Sequence, residues 1–187
     1  MSPVLAFLLA GLIGVAPVQT GEPAPPLTGV PGTFSGNVTL VVFFATWCGP
    51  CHRAFPELSG ISREVGGRVR MVLVEAGEDP AEVRQFLVSN PPPPGAIIGT
   101  DVSGQTRHEW GVNSFPSFYV VGPDGAVQKT HHGWGGDSAA LIARWLHAAL
   151  GDPPPAPARR PGRRAPRPAA AAVRPDREFV KGVEILR

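Results

Sequence analysis

Cysteine is nearly absent: the 187 residues hold two, Cys48 and Cys51, in one motif. A secreted scaffold stapled by disulfides needs several dispersed pairs, so these two thiols read as reactive rather than structural. Lys and Arg are missing before Arg53, and the apolar run at residues 4–18 (VLAFLLAGLIGVAPV) therefore has no basic residue ahead of it. At about fifteen residues the run is short for a membrane span, which needs roughly 20, and it suits the core of an export signal. Residues 1–20 are accordingly expected to be a signal peptide or an N-terminal membrane anchor. The body also lacks a basic excess. Residues 1–150 carry 8 Lys+Arg against 11 Asp+Glu, a net of −3, which gives no footing for a nucleic-acid partner. No internal repeat is present.

Proline and glycine are abundant, 23 of each, and unevenly spread. Beyond Gly151 the chain turns into PPPAPARRPGRRAPRPAAAAV, and residues 151–187 carry 9 Lys+Arg against 4 Asp+Glu, a net of +5. Such a composition buries too little apolar surface to offset conformational entropy, so residues 152–187 are expected to form a disordered Pro/Arg/Ala-rich tail. Residues 21–151 remain as one domain of ordinary hydrophobic content.

Within that domain residues 38–45 (VTLVVFFA) form a continuous β-branched and aromatic run, the pattern of a strand buried on both faces. A helix follows from Gly49, with Pro50 tolerated in its first turn and Pro56 inside it. Residues 69–74 (VRMVLV) read as a second strand, and Asp79-Pro80 as the start of a second helix ending before the prolines at 91–94. A short strand near 96–98 and a short helix near 105–110 come next. Residues 117–121 and 126–131 read as strands joined by the Gly-Pro-Asp-Gly turn at 122–125. The last helix is expected from Asp137, as its cap, to Leu150, with Gly151 beyond. The order β-α-β-α-(β)-α-β-β-α implies an α/β domain with a central mixed sheet flanked by helices.

The motif ATWCGPCH at residues 45–52 admits two chemistries. C-x-x-C-H attaches c-type haem, whereas W-C-G-P-C is a redox dithiol. Haem would need His52 as proximal ligand, a mostly helical pocket, and a distal ligand such as Met71, His108, His131 or His132. Here the motif instead joins a buried strand to a helix. At a helix N-terminus free amides and the helix dipole stabilise an anion, and a thiol pKa near 8.5 falls toward neutrality. Cys48 is thus the expected nucleophile and Cys51 the resolving thiol. Gly49 and Pro50 keep the turn tight, and Trp47 supplies a flat apolar wall. Phe115-Pro116, at a strand entrance where proline cannot join the ladder, is the second marked element.

These residues resemble the thioredoxin superfamily, in particular its exported TlpA/ResA-like branch. The likeness rests on G-x-P-A-P at residues 21–25, FFATWCGPCHRAFPEL at 43–58, VNSFPSFYVVGPDGAV at 112–127, and Gly133. It implies a thioredoxin fold, a Cys48–Cys51 redox couple, and a cis peptide at Phe115-Pro116 in a loop facing the sulfurs and binding substrate with Trp47, Gly49 and Pro50. No cofactor beyond the dithiol and no metal is implied. The expected activity is thiol–disulfide oxidoreduction in an extracytoplasmic compartment such as the periplasm, by a monomer. It would reduce disulfides of exported proteins, apocytochrome c among them, with electrons from a membrane thiol donor. Alternatives are a copper carrier using the same thiols and a non-catalytic adaptor. The sequence departs from the family where carboxylates would handle the Cys51 proton: Val42 and Ala54 stand there. Glu75 and His52 are the candidate substitutes, although each reads first as a surface residue. The short entry region, residues 21–38, implies a reduced N-terminal hairpin.

Overall fold

The computed structural model describes residues 18–28, 30, 34 and 36–153. The segment read as a leader or anchor lies almost wholly outside these residues, and so does the basic tail. Strand β1 (Val38–Phe44) is buried at all seven positions. Its β-branched and aromatic side chains fit a pleated surface covered from both sides, so it takes the middle of the sheet. It pairs in parallel with β2 (Val69–Glu75) and antiparallel with β4 (Ser117–Val121). With β3 (Ile97–Thr100) and β5 (Val127–His132) at the edges, the order is β3-β2-β1-β4-β5.

Parallel neighbours need a crossover. Helix α1 (Gly49–Glu64) supplies it between β1 and β2, and α2 (Pro80–Ser89) between β2 and β3. A short α3 (Gln105–Glu109) precedes β4, and α4 (Ser138–Ala149) follows β5. The β4–β5 turn closes through Gly125, whose φ of 81° a side chain would oppose.

Alternation along the strands sorts the core into two layers. Leu40, Val42 and Phe44 of β1 face α1, α4 and Phe86 of α2. Val41 and Phe43 face the other way, onto Tyr119, Trp110 and the entry residues Val18 and Leu27. The entry segment adds a single isolated bridge, Pro23 to Ala126, among the described residues. Backbone bonds fix it there: Gly21 N to Val127 O at 2.7 Å and Val127 N to Glu22 O at 2.8 Å.

Boundaries differ from the sequence reading by small steps. β3 begins at Ile97 and reaches Thr100, and β5 runs from Val127 to His132. The β4–β5 ladder shifts register between Val120 and Val121, beside the start of β5. Asp137 precedes α4 as expected, yet its side chain makes no cap bond. Ser138 Oγ takes over the local bonding, accepting from Gly135 N at 3.1 Å and donating to Gly135 O at 2.6 Å. Among the described residues no helix is long and apolar enough to cross a membrane.

Candidate active site at the head of helix α1

The parallel strands end on the side where β1 turns into α1, and Cys48 occupies that turn. It is the N-cap of α1, with extended backbone (φ −82°, ψ 101°), and its Sγ accepts from Cys51 N at 3.2 Å. Its carbonyl accepts from the same amide at 2.9 Å and from His52 N at 3.3 Å. Pro50 costs nothing here, because first-turn amides have no partner inside the helix. The Cys48 sulfur therefore sits where the helix end is most positive. Cys48 and Cys51 are joined as a disulfide, and they are 3% and 0% exposed.

Trp47, by contrast, is 72% exposed, so it is not a core aromatic. Its ring meets that of Phe115 edge-on, with centroids 5.8 Å apart, and this contact joins the dithiol loop to the proline loop. Phe115 also packs against the core layer that holds both sulfurs. The Phe115-Pro116 peptide is cis. Pro116 O accepts from Gly133 N at 2.7 Å, and Ser117 Oγ donates to Ser114 O at 2.7 Å, which ties the loop to both ends of β4–β5. Gly49 is exposed and Pro50 half-buried on the same rim.

Val42 and Ala54 are buried at 0% and 1% exposure, as apolar fillers of the layer under α1. The expectation for Glu75 needs correction: it is not a surface residue but fully enclosed, at 0% exposure. Alternation along β2 puts it on the face of Met71 and Leu73, alongside its register partner Phe44. Its Oε1 accepts from Glu78 N at 2.7 Å, while Oε2 is buried without a partner. Burial pushes the Glu75 carboxyl above its ordinary pKa; the Glu78 amide opposes this and the Glu78 carboxylate adds to it.

Glu78 carries no sequence signal for its position, yet it reaches the dithiol loop. Its oxygens accept from Thr46 N at 2.7 Å and Thr46 Oγ1 at 2.8 Å. His52 stays on the surface, as read. Its Nε2 lies 3.1 Å from Thr46 O and its Nδ1 3.2 Å from Asn90 Oδ1, with the ring edge-on to Phe86. Asn90 Nδ2 donates to Phe86 O at 3.0 Å, which orients its carbonyl toward the imidazole. Thr46, Trp47 and His52, with Gln85 and Phe86 of α2, line an open groove beside the disulfide.

A family model described as thioredoxin-like matches residues 36–127. The thiol:disulfide interchange protein CycY of Rhizobium leguminosarum bv. viciae is 34% identical over 94 residues, 49% of this chain and 48% of that protein. The thiol-disulfide oxidoreductase ResA of Bacillus subtilis is 27% identical over 95 residues, 50% of this chain and 52% of that protein. The chain thus spans about half the length of these curated relatives. Among solved structures, a chain assigned as the thiol:disulfide interchange protein DsbE of Chlorobium tepidum superposes with a TM-score of 0.65 at 25% identity, covering 72% of this chain and 99% of that one. StoA from Bacillus subtilis shares the fold with a TM-score of 0.52 at 22% identity, covering 59% and 83%. The chain thus has a thioredoxin-like fold, with a thioredoxin-like family domain matched over residues 36–127, and is similar to thiol:disulfide interchange proteins such as CycY and ResA.

Proposed function

We propose that the chain is a thiol–disulfide oxidoreductase that reduces disulfides of exported proteins through Cys48 and Cys51. The observation that carries this reading is the Cys48 sulfur: it caps α1, accepts an amide hydrogen bond, and is bonded to Cys51 three residues on. In the reduced protein, Cys48 thiolate attacks a substrate disulfide, forming a mixed disulfide and expelling one substrate thiolate. Cys51 loses its proton and attacks Cys48 Sγ, expelling the second. Two electrons pass to the substrate, and the internal disulfide re-forms. Trp47, Gly49, Pro50, Phe115 and Pro116 form the rim against which the substrate backbone lies. The dipeptide Gly49-Pro50 favours the reducing direction by its likeness to reducing thioredoxins.

The setting is extracytoplasmic, such as the periplasm, with residues 1–20 as a signal peptide or tether. Apocytochrome c is a candidate substrate, and a membrane dithiol carrier returns the electrons, since an oxidising compartment does not supply them. The protein works as a monomer without a further cofactor. Insulin reduction by the dithiol protein tests the activity: Cys48→Ala is expected to abolish it, and normal turnover in that variant would overturn the assignment.

A further inference from the structure

Every polar group of Thr46, two residues ahead of Cys48, meets a side chain from another part of the fold. On one side Glu78 accepts from its amide at 2.7 Å and from its hydroxyl at 2.8 Å. On the other side its carbonyl lies 3.1 Å from His52 Nε2. The second ring nitrogen, Nδ1, stands 3.2 Å from Asn90 Oδ1. Asn90 is buried and its Nδ2 donates to Phe86 O at 3.0 Å, so the amide oxygen is the atom turned to the ring. Both atoms that face the imidazole can only accept. Two acceptors require two N–H donors, and a neutral histidine has one. The imidazolium satisfies both contacts. Edge-on packing against Phe86, with centroids 4.8 Å apart, holds the ring between them. Among the described residues no ion pair involves His52. The charged groups at this corner are Glu78, from the loop after β2, Glu82 of α2, which lines the same groove, and Arg53, next in α1. Cys48 and Cys51 are neutral in the disulfide.

We propose that His52 is the positioning residue of the dithiol loop and that it works as the imidazolium, a role that rests on the oxidoreductase reading above. With both nitrogens protonated it ties Thr46 O to Asn90, the C-cap of α2, and so binds the loop that carries Trp47 and Cys48 to the end of that helix. Loss of one proton opens the tie at one of its two ends. A lone pair at Nε2 faces Thr46 O, and the loop is released. A lone pair at Nδ1 faces Asn90 Oδ1 instead. The Asn90 amide relieves that clash by turning over, which gives up its bond to Phe86 O. In either case one hydrogen bond is lost from the joint between loop and helix. Glu78 then holds Thr46 alone, through amide and hydroxyl, and the Thr46–Trp47 peptide is the part set loose. His52 thus acts on the chemistry through this peptide. Substrate meets Trp47 and Cys48 best in the clamped loop, so activity toward a protein disulfide falls as His52 loses its proton.

Nitrogen NMR of the full-length oxidised protein, titrated over about pH 5–8 where imidazoles ordinarily change charge, reads the clamp directly. The His52 signals are assigned by their loss in His52→Phe. The Asn90 side-chain amide should shift with the same midpoint as the His52 ring. Insulin reduction by the wild-type dithiol protein should then show a fall in kcat/KM of about two- to tenfold across that midpoint, beside the rise that Cys48 ionisation brings. His52→Phe keeps a ring against Phe86 but has no N–H. It should follow the lower limb, with the fall absent and the Cys48 rise retained. An Asn90 amide indifferent to the ring titration would overturn the proposal, and so would a fall of the same size and midpoint in His52→Phe. Should that variant not fold, His52→Gln, which reaches only one of the two acceptors, takes its place with the same expectation. If the wild type does not reduce insulin at all, the oxidoreductase reading fails, while the NMR titration still decides the clamp.

Discussion

At the scale of single residues, burial sets the chemistry. Tyr119 is the one tyrosine in the chain, 2% exposed, and its hydroxyl donates to Trp110 O at 2.8 Å. Burial pushes its pKa up to about 12. A proton held more tightly in the folded state stabilises the fold below the unfolded value near 10, and that contribution fades as pH rises toward 12. Phenolate absorbance in an alkaline titration is therefore expected well above pH 10, together with loss of native structure. A midpoint near 10 in the folded protein would contradict this packing. Trp47 represents the opposite case. At 72% exposure, Trp47→Ala should change stability by no more than about 0.5 kcal/mol, yet cost roughly 1–2 kcal/mol in kcat/KM toward a protein disulfide. Denaturant melts alongside insulin kinetics test the split. Both cysteines, Trp47 and Pro116 were legible in the sequence, because each is a residue type whose chemistry or backbone stands out. The burial of Glu75, which the sequence offered only as a candidate, was not, since a strand-end carboxylate looks the same exposed or enclosed.

At the scale of elements, the strand–helix alternation and the turn at residues 122–125 were enough to give the sheet its class and most of its pieces. The lapses sit at the ends of elements, where tertiary bonds decide. Entry-segment bonding to Glu22 and the shift at Val120/Val121 lie where β5 begins, and Ser138 displaces Asp137 as the anchor of α4. Neither is a local property. Helix α1 has a double task, holding the sulfurs at one end and packing the sheet along its length. Leu58, fully buried on its inner face, serves only the second. Leu58→Ala is expected to cost about 2–5 kcal/mol by leaving a cavity, while Cys48 reactivity in the remaining folded protein stays near wild type. Chemical denaturation and thiol-labelling rates measure the two effects separately.

At the scale of the whole domain, an ion-pair clasp joins the C-terminal end of α1 to the exit of α4, remote from the dithiol. Arg68 grips Asp152 with two nitrogens at 2.9 and 2.6 Å, and His147 lies between Asp152 and Glu64 at 3.0 and 3.1 Å. The Arg68 and His147 bonds hold Asp152 down at about 2. A depressed carboxylate contributes stability above its unfolded value near 3.8, and the contribution is lost as pH falls through about 2. Thermal melts over that acid range should show a flatter limb in Asp152→Asn, with the difference shrinking at high salt because the pair faces water. Insulin reduction should be unaffected, since the clasp stands at the far end of a 16-residue helix.

Covalent capture by Cys51→Ser tests directly whether Cys48 attacks and Cys51 resolves. With Cys51 unable to close the internal disulfide, incubation with a disulfide-bonded protein substrate should leave a mixed disulfide. Intact mass and peptide mapping should then find the substrate half on Cys48, released by added thiol. An unmodified Cys48 under conditions where the wild-type dithiol reduces the same substrate would contradict the account.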